Sequence, residues 1–85
     1  MSVEHYLIVT RSVTHAQRIR GVLSRAGIRC RIFRAPMSLA DKGCAYAVRI
    51  EVSDLAPALT ALRREALDPV SIFLQQRDIY REVRP

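Results

Sequence analysis

The sequence predicts an α+β domain in which two helices cover one face of a single four-stranded antiparallel sheet. Three observations carry that expectation. Residues 28–34 and 45–52 alternate apolar and polar side chains, the period of strands with one buried side. Two apolar stripes recur at helical spacing, one of Ala16, Ile19, Leu23 and Ala26 and one of Leu55, Ala58, Leu59 and Leu62. A chain of 85 residues, 49% of them apolar, is the size of one domain around one core.

Residues 4–10 are short, β-prone and apolar on both faces, as a central strand should be. A turn over residues 11–13 leads to Thr14, whose hydroxyl, with the Gln17 amide, is suited to cap the first helix. Gly27 ends that helix, because it adopts the left-handed conformation without a Cβ clash. In the second strand Ile28, Cys30 and Ile32 share one face, and Arg29, Arg31 and Phe33 share the other. Residues 35–43, with Pro36, Ser38, Asp41 and Gly43, have no sustained period and read as a loop. The third strand, 45–52, opposes Tyr46, Val48, Ile50 and Val52 to Ala47, Arg49 and Glu51. Ser53 or Asp54 caps the second helix, with Pro57 tolerated in its first turn and Asp68-Pro69 as its stop. Residues 70–75 form the last strand.

This order is the split βαβ motif, so the expected architecture is ferredoxin-like βαββαβ. Residues 1–75 make the domain and 76–85 a polar tail, in which Ile79, Tyr80 and Val83 suit a short helix or an edge strand. The sheet face away from the helices is expected to stay open for self-association or binding.

Lys and Arg outnumber Asp and Glu by 14 to 8, and all but Lys42 of the basic residues are Arg. The resulting field favours anionic partners. The start of the sequence lacks the basic and apolar regions of a secretion signal, and the longest apolar run is far too short for a bilayer. Two Cys in such a chain read as thiols of a reducing compartment, and a cytoplasmic location is expected.

The residues exclude several enzyme classes. There is no Gly-rich phosphate loop, no dinucleotide fingerprint and no zinc motif. His5 and His15 lack Cys or carboxylate companions at ligand spacing, so no metal is expected, and these missing motifs point to no cofactor. His15, at the start of the first helix, is expected to be exposed. Cys30, between Ile28 and Ile32, reads as a small buried hydrophobe. Cys44 stands where a polar loop enters a strand, after Lys42 and Gly43. Gly43 gives access to the thiol, and Lys42 is placed to lower its pKa and raise the thiolate fraction. From spacing alone, a strand start packed against a helix end explains Cys44 equally well.

The run Tyr6-Leu7-Ile8-Val9-Thr10, then Ser12, His15-Ala16, Ala26-Gly27-Ile28, Pro36, Ser38 and Gly43-Cys44, resembles the small bacterial putative selenium/sulfur carrier-like family over nearly the whole chain. Family members usually have Gly after the Cys, where this chain has Ala45. The resemblance implies that Cys44 bears sulfur or selenium as a persulfide or selenium adduct. Pro36 and Ser38 would shape the loop presenting it, with Ser12 at the adjacent turn. It further implies protein partners, a donor and an acceptor of sulfur or selenium, and a transfer protein rather than a turnover enzyme.

Two other classes compete. Arg29, Arg31 and Phe33 share a strand face with Arg49 beside them, which is the interleaving of a base-stacking RNA sheet, but the aromatic-rich segment of such sheets is missing. Glu51 sits on the exposed face beside Arg49, so cross-strand ion pairing explains part of the charge, and nucleic-acid binding is the weakest reading. A regulatory module that forms a homodimer through the open face is the stronger competitor, and nothing suggests a membrane partner.

Overall fold

A computed structural model describes residues 4–35, 46–67 and 71–83. Its elements run β1 (Glu4–Thr10), α1 (Val13–Arg25), β2 (Cys30–Arg34), β3 (Tyr46–Glu51), α2 (Leu55–Arg64), β4 (Ser71–Gln76) and β5 (Ile79–Val83). All pairings are antiparallel, in the spatial order β2-β3-β1-β4-β5. The sheet thus has five strands where four are expected. The additional strand comes from the segment read as a tail, and it takes the edge-strand option rather than the helical one.

The sequence conceals this hairpin for a physical reason. Gln76 pairs with Ile79, leaving only Arg77 and Asp78 to turn the chain. Tight hairpin turns need positive φ, which Gly or Asn normally signals. Here Arg77 itself takes φ +57°. The Gln75 amide donates to the Arg77 carbonyl at 3.3 Å and holds the turn. Across the sheet, the Gln76 amide donates to the Glu4 carboxylate at 2.9 Å.

β1 is the central strand, hydrogen-bonded to β3 on one side and β4 on the other. Leu7, Ile8, Val9 and Thr10 are all buried, which accounts for its apolar character on both faces. Alternation sends Ile8, Val48 and Ile50 toward the helices, where they meet Ala16, Ile19 and Leu23 of α1 and Ala58 and Leu62 of α2 in one cluster. Both helices therefore lie on the same face, as expected.

α1 ends as its sequence predicts. Gly27 has φ +78°, its N–H donates to the Ser24 carbonyl, and the Ile28 N–H donates to the Leu23 carbonyl at 2.9 Å. This is a Schellman closure. α2 closes in the same way but with Ala66 in the left-handed position at φ +54°, and the Leu67 N–H donates to the Leu62 carbonyl at 3.0 Å. The helix thus stops at Arg64, ahead of Asp68-Pro69. Burial of Leu67 beside Leu62 offsets the strain that a Cβ incurs there. At its start, Asp54 stands in the N-cap position without a side-chain capping bond, after a single 3-10 turn at Val52–Asp54.

The face away from the helices is not open. Leu7, Val9, Ala35 and Ala47 form a second buried cluster there, flanked by Phe33, Phe73 and Tyr80. Among the described residues, no helix is long and apolar enough to cross a membrane.

Candidate functional site

One end of the sheet gathers the termini of four elements: the last residues of β1 and β2, the first of β3 and the start of α1. Thr10 pairs with Tyr46, which in turn pairs with Arg34. Thr10 is wholly buried, and its hydroxyl lies 3.0 Å from the Ser12 carbonyl and 3.4 Å from the Tyr46 carbonyl. With one proton to give, it donates to the nearer. A polar residue closing an apolar strand was its signal in the sequence; its hydroxyl holds the start of α1 while its place in β1 pairs it with Tyr46 at the start of β3.

Ser12, not Thr14, is the N-cap of α1. Its Oγ accepts the His15 N–H at 3.1 Å, and its carbonyl accepts the Ala16 N–H at 3.1 Å. The helix consequently begins at Val13, within the segment read as a turn. Its first turn contains no acidic residue, so no carboxylate there offsets the positive end of the helix dipole. Ser12→Ala should cost about 1 kcal/mol of stability by removing the cap, and Ser12→Asp should restore it. Urea denaturation of the three proteins checks this.

His15 differs from expectation. It is half-buried, and its Nε2 is shielded from solvent without a hydrogen-bond partner. Its place in the first turn of α1, one residue before the fully buried Ala16, accounts for that.

Pro36, Ser38, Lys42, Gly43 and Cys44 lie outside the described residues. Of the site residues the sequence singles out, only Ser12 is therefore placed.

Cys30 is the free thiol among the described residues. It faces the helix-covered core as expected, but as the first residue of its strand it is only half-buried. Burial pushes its pKa upward, and the Arg20 guanidinium pulls it down by a smaller amount. Burial therefore favours the neutral thiol. Its contribution to stability is complete below the thiol pKa of the unfolded chain and is lost as pH rises through the folded value. Alkylation of Cys30 by iodoacetamide should accordingly be slower at neutral pH than that of an unstructured cysteine, and should accelerate only at alkaline pH. An equal rate at neutral pH would contradict the upward shift.

The cross-strand ion pairing expected around Glu51 and Arg49 is not found among the described residues. The register sets Glu51 opposite His5 and Arg49 opposite Arg31. Phe33, the aromatic of the RNA-sheet reading, packs against the second apolar cluster. Among the described residues, no three His, Cys, Asp or Glu side chains gather as a metal site.

These features define a small α+β domain in which the end of β2 and the start of β3 stand beside the N-terminus of α1. A family model described as "Putative Se/S carrier protein-like" matches residues 5–74, and the chain belongs to that family. No curated protein and no solved structure matches it.

Proposed function

We propose that this protein carries sulfur or selenium on the Cys44 thiol, on a ferredoxin-like frame extended by one edge strand. The reading is supported by the family match over residues 5–74. The frame is supported by the element order through β4 and by the β2-β3-β1-β4 arrangement. The observation that carries the choice of site is the bonding at one end of the sheet. Thr10 lies within hydrogen-bond reach of both Ser12 and Tyr46, and Cys44 precedes Tyr46 by only two residues. In sequence, Cys44 thus lies two residues before the strand whose first residue pairs with Thr10. A helix N-terminus with no acidic residue in its first turn favours a thiolate, and Lys42 adds a cation two residues away in sequence.

The transfer is a thiol exchange. The Cys44 thiolate attacks the outer sulfur of a donor persulfide. A bond forms between Sγ and that sulfur, the donor's S–S bond breaks, and the donor thiolate leaves and takes up a proton. An acceptor thiolate then attacks the outer sulfur on Cys44, and Cys44 leaves as thiolate. The sulfane sulfur changes hands without an external oxidant or reductant. The protein is regenerated as a transfer partner rather than acting as a turnover enzyme, with a donor and an acceptor protein as its partners in a reducing compartment. Pro36, Ser38 and Gly43 would shape the presenting segment.

The test is intact-mass spectrometry of the reduced chain after incubation with a low-molecular-weight persulfide. Sulfur addition that requires Cys44 supports the carrier. A chain that gains no sulfur, or gains it equally on both cysteines, refutes it.

A further inference from the structure

A groove of about 340 Å³ runs along the outer side of α1, between that helix and the turn that follows α2. Thr14, Arg18, Gly21 and Arg25 form one stripe down the helix, and Glu65 and the buried Leu67 stand on the other side.

Gly21 has no role inside the chain. It is an interior residue of α1 and takes no left-handed conformation there, so its backbone does not call for glycine. Nor does packing, because a Cβ at this position meets only the tip of the Arg25 side chain, at 3.6 Å, an ordinary contact. A glycine inside a helix weakens it relative to alanine. Bare backbone kept at that cost suits the close approach of another backbone from outside.

The groove walls give the chemistry of what approaches. Arg18, one turn before Gly21, and Arg25, one turn after it, are exposed, as is Glu65, and none of the three has an ion pair among the described residues. The two guanidinium groups are rooted about 10 Å apart along the helix axis, a span that an extended acidic chain bridges within a few residues. Glu65 opposite can accept a backbone N–H, a donor that a nucleic-acid backbone lacks.

We propose that this groove seats an acidic, extended segment of a partner protein, its backbone against Gly21 and its carboxylates on Arg18 and Arg25. A second copy of this chain does not fit, since two α1 helices crossing at Gly21 would set like charges of Arg18 and Arg25 against each other. The large exposed apolar side chains among the described residues, Val13, Val52 and Ile79, all lie outside the groove, which argues against a lipid surface. The groove is independent of the Cys44 reading and uses no thiol chemistry.

The test is fluorescence anisotropy of a labelled hexaglutamate peptide titrated with the full chain at low ionic strength. Wild type should bind it saturably. Arg18→Gln/Arg25→Gln should weaken the peptide at least about tenfold, because charge-assisted hydrogen bonds are lost. Arg29→Gln/Arg31→Gln, the same change of charge away from the groove, should stay within about threefold. Gly21→Gln, which fills the groove with no change of charge, should weaken the peptide at least about fivefold. Gly21→Ala should raise the melting temperature by roughly 2–8 °C, since within the chain only helix propensity changes. If Gly21→Gln fails to fold by circular dichroism, Gly21→Ala is titrated in its place and should still weaken the peptide. Unsaturable binding, equal weakening by both arginine pairs, or wild-type affinity in Gly21→Gln would each overturn the site. A melting temperature lowered by Gly21→Ala would mean that the fold itself needs the glycine, and would overturn it too. So would a dimer in analytical ultracentrifugation that Gly21→Gln dissociates, or a single-stranded oligonucleotide that binds through Arg18 and Arg25 and is not displaced by hexaglutamate.

Discussion

Cys44→Ser should abolish the sulfur gain that wild type shows with a persulfide donor, whereas Cys30→Ser should leave it close to wild type. The separation follows from thiolate chemistry. Each unit by which a thiol pKa exceeds the ambient pH lowers the thiolate fraction about tenfold. Cys30 is handicapped by burial, which raises its pKa more than Arg20 lowers it. Its side chain is also packed against the helix-facing core, so a protein-sized donor reaches it poorly. Cys44 has the opposite setting in sequence, with Lys42 and Gly43 before it. Sulfur retained in Cys44→Ser but lost in Cys30→Ser would move the chemistry to Cys30. Sulfur retained in both would leave the carrier reading without a site.

Leu7→Ala should destabilise the domain by about 2–5 kcal/mol, the usual cost of emptying a buried leucine position. Ile8→Ala should cost a similar amount. The pair is informative because the two residues are neighbours on β1 and point to opposite faces, and both are completely buried. Were the face away from the helices a solvated surface, Leu7→Ala would cost no more than about 0.5 kcal/mol. For a domain of this size, whose whole stability is roughly 5–15 kcal/mol, the larger loss threatens the folded state at ambient temperature. Urea midpoints of both variants against wild type decide the matter. A near-neutral Leu7→Ala would mean that the second cluster contributes little.

Much of this frame is legible in the sequence because each signal is local. The double-sided apolar run of β1, the alternation in β2 and β3, the two helical stripes and Gly27 after α1 each report on a few consecutive residues. Boundaries that depend on partners are less legible. Ser12 and Thr14 both suit a cap, and the hydroxyl that meets the His15 N–H decides between them. α2 ends at a left-handed Ala66, a position that carries no glycine signal and is held by the burial of Leu67. β5 is hidden for the same reason, since Arg77 occupies a turn position normally marked by Gly or Asn. His15 reads as exposed because its position on the helix does not reveal that Nε2 ends up shielded.

The sequence by itself determined one small α+β domain, the faces of β2 and β3, the candidacy of Cys44, and a basic surface. Those follow from side-chain type and period, which act within a few residues. Only the tertiary structure decided that the sheet has a fifth strand, that Leu7 and Val9 are buried away from the helices, and that Arg31 faces Arg49 while Glu51 faces His5. Each of these depends on register between strands distant in the chain. Register is set by how both faces of β1 pack at once, and no local window of sequence contains that information.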